Sequence, residues 1–303
     1  MKLSKNGLIR INFRDSHPTE NSRLKCNFKC SYCNQREIIE YPFDDKHLEN
    51  TKNIWNKLEK IEDDILVRIN FDGETFIDKV ATDCAAYVSH VKNVKVCEVI
   101  TNNSINPERY LDKFDISKLS FNLSYHPEGI TMERFLENCK VLQSKNIPFF
   151  VNMVVTPQIM DEFANIVSTF KENNICFKPT LLLGPYEGKN YPDDYTEEHL
   201  SIIKNNYYTD LEFEYQNGKQ SRDSLCYAGV DMFNLFIEGT VMRCFGSEIG
   251  KIDELIDGSI KLKDEPYPCP FYQCTCYAHM IGLKEFRDKF KLDDKFVDHY
   301  HEK

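Results

Sequence analysis

The 303-residue sequence lacks the features of membrane, secreted and nucleic-acid-binding proteins. It has no apolar run near the roughly 18 residues that cross a bilayer, so we expect no membrane span. The start, Met1 to Asn6, has no apolar signal-peptide region, so we expect a cytoplasmic protein. The chain also lacks a long basic run and has a net charge of −10, which argues against a nucleic-acid groove. A single local basic patch could still bind nucleic acid.

Cysteine, by contrast, is abundant, with 12 in the chain. In a secreted protein this number would suggest disulfide bonds, whereas in a reducing cytoplasm it suggests metal binding. Four of these residues lie in helix or strand patterns, and we expect them to be ordinary core residues. They are Cys84, Cys97, Cys139 and Cys176. The other eight form two groups, one near each end of the chain.

The first group is Cys26, Cys30 and Cys33, at the spacing C-x3-C-x2-C. Three thiolates on one loop can hold three irons of a [4Fe–4S] cube and leave the fourth iron open to a ligand that is not protein. An electron-transfer ferredoxin normally uses four cysteines, so an open iron indicates chemistry. The alternatives are buried cysteines or a zinc loop, although zinc knuckles prefer paired C-x2-C modules.

Hydrophobic periodicity predicts six strand–helix units in succession. This order implies parallel strands joined by right-handed crossovers, and six units are too few for a closed eight-stranded barrel. The expected fold is therefore α/β, an open, partial (βα)6 barrel over residues 1–206. The predicted strands are 8–13, 65–71, 94–100, 119–125, 149–155 and 175–183. The predicted helices are 46–61, 76–91, 107–114, 131–145, 160–171 and 197–207.

Polar segments follow the first four predicted strands. They are the cysteine loop, residues 72–74, residues 101–103 and residues 125–126. Ligands in parallel sheets bind at the carboxyl ends of the strands. We therefore expect these four segments to meet in one site.

The cysteine spacing resembles that of the radical S-adenosylmethionine (radical SAM) superfamily, and Tyr32 matches the aromatic residue that usually precedes the last cysteine of its motif. In that family the open iron is chelated by the amino and carboxylate groups of SAM. The reduced cluster cleaves SAM to methionine and a 5′-deoxyadenosyl radical, which abstracts a hydrogen atom from substrate. The resemblance implies a [4Fe–4S] cluster, SAM, and an electron donor such as flavodoxin or ferredoxin.

The second strand end is also similar to the family pattern. Asp72-Gly73-Glu74 resembles the Gly-Gly-Glu turn that binds the SAM amino group, with Asp72 in place of the first glycine. Taken alone, Glu74 would be a solvated loop acid; the resemblance implies that it binds the SAM ammonium.

The third and fourth strand ends continue this pattern. Residues 101–103 look like the family's Thr-Asn-Gly, with Asn102 in the binding turn and Asn103 at the glycine position, where asparagine tolerates positive φ. Ser124 resembles a serine that contacts the SAM ribose or carboxylate. The Asp-Gly that commonly follows it and a later arginine have no counterpart here. His126 is either a substrate acid or base or a capping histidine.

Asn152 is a polar residue within the apolar run 149–155. A buried amide needs a hydrogen-bond partner. We therefore expect Asn152 to face the cavity, where SAM or substrate could satisfy it.

The second cysteine group lies in residues 207–303, which we expect to form a separate small domain with a C-terminal helix. A hairpin is predicted over residues 232–244, with a cysteine near each end. The block resembles the SPASM and twitch extensions of radical SAM enzymes, and five cysteines suit one auxiliary [4Fe–4S] cluster. Zinc is the alternative. The five cysteines are Cys226, Cys244, Cys269, Cys274 and Cys276.

A four-iron cube takes at most four thiolates, so one of the five is expected to be surplus. Cys274 and Cys276 lie on the same side of an extended segment, which would leave Cys269 free. A free Cys269 thiol near the radical could donate a hydrogen atom in a redox-neutral epimerisation. Without it, electron loss to the auxiliary cluster favours oxidation or crosslinking, which is our preferred outcome.

The expected substrate is a peptide or protein side chain or a small metabolite. Only 25 residues precede Cys26, which lowers the expectation of a leader-binding domain. The alternatives are an activase that installs a radical on a partner enzyme and a non-catalytic metal-binding module. Formation of 5′-deoxyadenosine would distinguish a radical SAM enzyme from a non-catalytic metal-binding module.

Overall fold

The computed structural model describes residues 1–15, 22–33, 39–207, 209–244, 247–274 and 280–290. The strands are β1 (Leu8–Arg14), β2 (Ser22–Leu24), β3 (Ile39–Tyr41), β4 (Asp64–Asn70), β5 (Val94–Thr101), β6 (Leu119–Ser124), β7 (Phe149–Val155), β8 (Phe177–Leu181), β9 (Gly184–Tyr186), β10 (Lys189–Tyr191), β11 (Leu225–Cys226), β12 (Met232–Phe236), β13 (Thr240–Cys244), β14 (Ser247–Lys251) and β15 (Tyr267–Pro268). The helices are α1 (Asp45–Leu58), α2 (Lys79–His90), α3 (Met132–Ser144), α4 (Met160–Glu172), α5 (Glu197–Lys204), α6 (Asp210–Gln216), α7 (Ile252–Asp257) and α8 (Lys284–Phe290).

The chain forms a mixed α/β fold around a sheet of parallel strands. All six predicted strands are present as β1 and β4 to β8, and they pair in parallel in chain order. The predicted helices are confirmed with one exception. Residues 107–114 form two short 3-10 turns, Pro107–Arg109 and Leu111–Lys113, instead of an α-helix.

The predicted C-terminal hairpin is present as β12 and β13, but it continues the main sheet. β12 pairs in parallel with β1, with Arg10 opposite Met232, and β13 and β14 follow in antiparallel pairing. The result is a nine-stranded sheet in the order β14-β13-β12-β1-β4-β5-β6-β7-β8. This pairing covers the edge of β1 that would otherwise present unpaired backbone groups. A domain boundary near residue 206 stays a prediction.

The two faces of the sheet differ in polarity because side chains alternate along each strand. One face is apolar and packs against helices, as where the Phe13 ring meets the Trp55 ring of α1 at 5.5 Å between centroids. The other face carries buried polar side chains. These include Arg10, Asn12, Arg68, Glu98, Asn122 and Lys178. Arg68 pairs with Glu98, and Lys178 pairs with Glu212 of α6.

Burial lowers the pKa of Lys178 on β8, and the positive charge of Arg68 on β4 also lowers it, whereas the charge of Glu212 raises it.

Three of the four cysteines expected in the core are fully buried, namely Cys84, Cys97 and Cys139. Cys176 is half-buried and packs against a second apolar cluster that includes Cys226 and Cys269. Within the described part of the chain, no helix is both long enough and apolar enough to cross a bilayer.

Candidate functional site

The three cysteines of the first group lie on the loop that follows β2. Cys33 N donates to Cys30 O at 3.1 Å, which forms a turn between two of them. Burial raises the pKa of the Cys30 thiol to about 11, and the charges of Glu128, Cys26 and Cys33 act in the same direction. The three thiols are therefore close neighbours. A bound metal would favour their thiolate forms, which are the ligating species.

The turn after β4 packs directly against the backbone that precedes Cys26. Gly73 has φ of +117°, and a Cβ there would lie 2.7 Å from Leu24 C, 2.9 Å from Lys25 O and closer still to Leu24 O. Glu74 N donates to Lys25 O at 3.1 Å. Only glycine satisfies both the positive φ and this close approach. The predicted turn is therefore in contact with the cysteine loop.

Glu74 is fully buried and joins the ends of β4 and β5. Its carboxylate accepts from Phe76 N at 3.0 Å, Thr101 Oγ1 at 2.8 Å and Asn102 N at 2.7 Å. Burial raises the pKa of Glu74, and these hydrogen bonds oppose the rise. Glu74 therefore positions the two turns through these hydrogen bonds. Its contact with SAM stays a prediction.

The turn after β5 supports the cysteine loop through Asn102. Asn102 Nδ2 donates to Asn27 Oδ1 at 3.0 Å and lies 4.0 Å from Cys26 Sγ. Asn27 Nδ2 in turn donates to Ser104 Oγ at 3.0 Å. Asn103 has φ of +54°, as expected for a residue at the glycine position.

The turn after β6 contacts the other side of the loop. His126 Nδ1 lies 2.8 Å from the Tyr32 hydroxyl, and the two rings stack with 6.0 Å between centroids. Burial lowers the pKa of His126 to about 4, so its imidazole is neutral near pH 7. Burial raises the pKa of Tyr32 far above its ordinary value. His126 thus positions Tyr32, and a catalytic role for it stays a prediction.

Two further residues of this turn escaped the sequence analysis. Glu128 accepts from Ser31 N and Ser31 Oγ, both at 2.6 Å. A Cβ at Gly129 would lie 2.5 Å from the Phe28 ring. The Pro-Glu-Gly turn at 127–129 is the only signal that the sequence offered. Tyr186 on β9 also reaches the loop, with its hydroxyl 3.0 Å from Ser31 Oγ.

Ser124 is the last residue of β6, and it lies opposite Asn152 in the middle of β7. Asn152 Nδ2 donates to Ser124 Oγ at 3.3 Å and also bonds to Asn122 Oδ1. The pair lies at the same edge of the sheet as the three turns. Asn152 is on the polar face, as predicted, with protein partners for its amide; SAM binding by the pair stays a prediction.

Asp15 is another residue that the sequence analysis missed. It is 1% exposed, and its carboxylate accepts from Asp72 N at 2.9 Å and from Leu24 N at 3.1 Å. Asp72 itself forms a two-pronged ion pair with Arg14, with both distances 2.8 Å. Burial raises the pKa of Asp15 to about 7, and the charge of Asp72 contributes. Asp15 therefore braces the start of the cysteine loop and the 72–74 turn together.

A cavity of about 500 Å³ lies beside Asp15, between the start of α1 and the turn that joins β12 to β13. It is lined by Asp15, Tyr41, Asp44, Lys46, His47, Asn50, Ile237 and Glu238. In a capping box, His47 N donates to Asp44 Oδ1 at 3.2 Å and Asp44 N donates to His47 Nδ1 at 3.1 Å, so these two side chains stabilise the start of α1.

The second cysteine group lies at the opposite, amino edge of the sheet. Cys226 precedes β12, which is parallel to β1, and Cys244 ends β13, which is antiparallel to β12. Burial raises the pKa of Cys226, and the charge of Cys269 raises it further, so these two thiols are neighbours. Cys274 packs against the same apolar cluster. Cys276 lies outside the described residues.

The two groups are separated by the length of the strands, about 20 Å for seven residues. The structure therefore does not bring Cys269 to the first group, and its catalytic role stays a prediction. Among the described residues, no three His, Cys, Asp or Glu side chains are close enough to hold a single metal ion. A four-iron cube binds each thiolate at a separate iron, so its ligands need not meet at one point.

No protein-family model matches the sequence, and no curated protein matches it either. Several solved structures share its fold. Native anSMEcpe with bound AdoMet has a TM-score of 0.55 at 15% identity, over 83% of both chains. Hexahistidine-tagged anSMEcpe with bound AdoMet has a TM-score of 0.57 at 16% identity, over 84% of this chain and 80% of its own. Native anSMEcpe with bound AdoMet and Kp18Cys peptide has a TM-score of 0.54 at 14% identity, over 94% of this chain and 84% of its own.

Proposed function

We propose that the protein is a radical SAM enzyme in which Cys26, Cys30 and Cys33 hold a [4Fe–4S] cluster. The observation that carries this proposal is the convergence of three strand-end turns on the cysteine loop, at the carboxyl edge of a sheet of parallel strands. The cluster would supply the electron that cleaves SAM to methionine and a 5′-deoxyadenosyl radical, which takes a hydrogen atom from substrate. The shared fold with a protein solved with AdoMet supports the proposal.

The chain's own residues would then bind and orient SAM. Asp15, Glu74 and Asn102 hold the loop and its neighbouring turns in place. Ser124 and Asn152 present a hydroxyl and an amide at the same edge, where they can bond to the ribose or carboxylate of SAM. The sheet would then form a partial (βα)6 barrel with its mouth at this edge.

The second cysteine group would hold an auxiliary [4Fe–4S] cluster. Its ligands would come from Cys226, Cys244, Cys269, Cys274 and Cys276. The proximity of Cys226 and Cys269 supports a shared site. The match to the peptide-bound anSMEcpe covers 94% of this chain and thus includes most of residues 207–303.

The proposed substrate is a peptide or protein side chain or a small metabolite. anSMEcpe is solved with a Kp18Cys peptide, which favours the peptide within this class. The auxiliary cluster would accept an electron or bind substrate, which gives oxidation or crosslinking. The placement of Cys269 at the amino edge argues against its role as hydrogen donor in an epimerisation. An electron donor such as flavodoxin or ferredoxin would reduce the first cluster.

The test is anaerobic reconstitution followed by incubation with SAM and dithionite, with 5′-deoxyadenosine measured by chromatography. Wild-type protein should form it, and the triple variant Cys26→Ala/Cys30→Ala/Cys33→Ala should form none. A Cys176→Ala variant, which removes a half-buried cysteine outside both groups, should retain the activity. Cleavage of SAM by the triple variant would show that the first group is not the reactive site.

A further inference from the structure

The segments that carry the second cysteine group meet at one side chain, Arg243. It lies on β13 directly before Cys244 and is 6% exposed. Its Nε donates to Ala228 O at 2.9 Å, and its Nη2 donates to Tyr267 O at 3.3 Å and Pro268 O at 3.1 Å. One guanidinium thus joins stretches of chain that are far apart in sequence.

Each of these stretches holds a cysteine. Ala228 lies two residues after Cys226, and Pro268 directly precedes Cys269. The β11–β15 pairing, which places Cys226 opposite Tyr267, is in contact with the same guanidinium. The relative positions of Cys226, Cys244 and Cys269 therefore depend on Arg243.

Packing fixes the plane of the guanidinium. Its central carbon lies 3.7 Å from the centre of the Tyr267 ring, which is close enough for a cation–π contact. Gly229 leaves the space for both side chains, because a Cβ there would lie 3.3 Å from Arg243 Cγ and closer to the Tyr267 hydroxyl. Lysine has one compact ammonium and cannot reproduce a planar fork that reaches several carbonyls.

We propose that Arg243 is a positioning residue for the auxiliary cluster, because it holds Cys226, Cys244 and Cys269 in the arrangement that cluster binding requires. This inference rests on the proposed function. Three backbone carbonyls accept from the guanidinium, so its role is to fix backbone segments.

The test uses the full chain with Cys26, Cys30 and Cys33 replaced by alanine, so that any cluster belongs to the second group. Arg243→Met and Arg243→Lys are introduced in this background. The matched control is Arg14→Met, because Arg14 is similarly buried at 7% exposure. Its guanidinium bonds to the Asp72 carboxylate at 2.8 Å, at the opposite edge of the sheet from the second cysteine group. Iron and zinc per folded chain and the electron paramagnetic resonance spectrum are measured after anaerobic reconstitution.

The reference chain should bind about four irons, the content of one cube. Arg243→Met should bind at least twofold less iron per folded chain. Arg243→Lys keeps the charge and should fold, but it should bind less iron than the reference and give an altered spectrum. Arg14→Met should lose stability while it keeps the reference iron content in its folded fraction. If Arg243→Met does not fold, the lysine variant decides the question.

Reference-like iron and spectra in both Arg243 variants would overturn the inference. An equal loss of iron in Arg14→Met would also overturn it, because the effect would then follow from lost stability alone. A reference chain that binds zinc or no iron would remove the auxiliary cluster and this inference with it. If the auxiliary cluster is absent, the chain with Cys26, Cys30 and Cys33 intact can still be tested for 5′-deoxyadenosine. Its formation would show that the proposed function of the first group is correct although this inference is wrong.

Discussion

The two cysteine groups are assembled in different ways. The first is contiguous, with Cys26, Cys30 and Cys33 inside eight residues, and the 72–74 turn packs against the backbone that precedes it. Gly73, for example, contacts the backbone of Leu24. The second group is spread from residue 226 to residue 276, and a long side chain, Arg243, joins its described segments.

This difference predicts how each group responds to change. A backbone-to-backbone contact cannot adapt to an added atom without movement of the loop itself, because interiors are close-packed. A flexible side chain can shift to accommodate an added atom, but its loss frees several segments at once. We therefore expect steric changes to damage the first group most, and loss of a guanidinium to damage the second.

The largest expected effect is that of Gly73→Ala on the first group. The new Cβ would lie 2.7 Å from Leu24 C, and the backbone would have to keep φ of +117°. We expect reconstituted protein to fall from about eight irons per chain to about four, the content of the second cluster alone. Iron analysis with the triple cysteine variant as the reference measures this. Full iron content in Gly73→Ala would disprove the close approach.

Asp15 gives the first group a pH dependence. Its pKa is raised from 3.8 to about 7 in the folded protein, so between these values the folded state holds a proton that the unfolded state has lost. The free energy of unfolding should therefore fall as pH rises from about 4 to about 7, by up to about 4 kcal/mol.

Asp15→Asn should abolish this fall, whereas Arg243→Met should retain it because arginine does not titrate in this range. Denaturant unfolding of the metal-free protein at pH 4.5, 6 and 7.5 provides the comparison. Parallel pH profiles for wild type and Asp15→Asn would contradict the prediction.

The strands and the proposed ligands of the first group could be predicted from the sequence because both are local patterns. The alternation or apolar character of seven residues identified β7, and one loop holds the C-x3-C-x2-C spacing. The supports of the site are not local. Asp15 bonds to Asp72 across 57 positions, and Glu128 bonds to Ser31 across 97.

Contacts between distant parts of the sequence limit the prediction of the second group even more. The hairpin could be predicted from its turn and its flanking cysteines. Its pairing with β1 could not, because it joins Asn12 to Asn234 across 222 positions, which no local pattern encodes. The role of Arg243 follows only from that pairing and from the position of residues 267–268.

Glu74→Gln should have a smaller effect than the changes at Gly73 and Asp15. Glutamine places an amide group where the carboxylate accepts from Asn102 N and Thr101 Oγ1, and charged hydrogen bonds of this kind contribute about 1.5–3 kcal/mol. The turn that is proposed to bind SAM should lose its fixed position, and the Kd for SAM should rise at least about tenfold. Iron content should change little. Equilibrium dialysis with reconstituted protein tests this, and an unchanged Kd would rule out the role.

The smallest expected effect is that of Gly229→Ala at the second group. Gly229 has φ of +86°, and alanine in this region costs about 1–2 kcal/mol. The new Cβ would contact the Tyr267 hydroxyl and would lie 3.3 Å from Arg243 Cγ, so the obstacles are side-chain atoms that can move. The free energy of unfolding should fall by about this amount, with only partial loss of iron.

The double variant Gly229→Ala/Tyr267→Phe separates the two contributions to this cost. Removal of the hydroxyl should restore the iron content of the second group and leave the backbone cost in place. The same strategy cannot rescue Gly73→Ala, because the obstacle there is the Leu24 backbone. Denaturant unfolding and iron analysis of both single variants and the double variant decide the matter. If Gly229→Ala abolishes iron binding and Tyr267→Phe does not restore it, the second group depends on backbone contacts as the first does, and the contrast between the two sites is wrong.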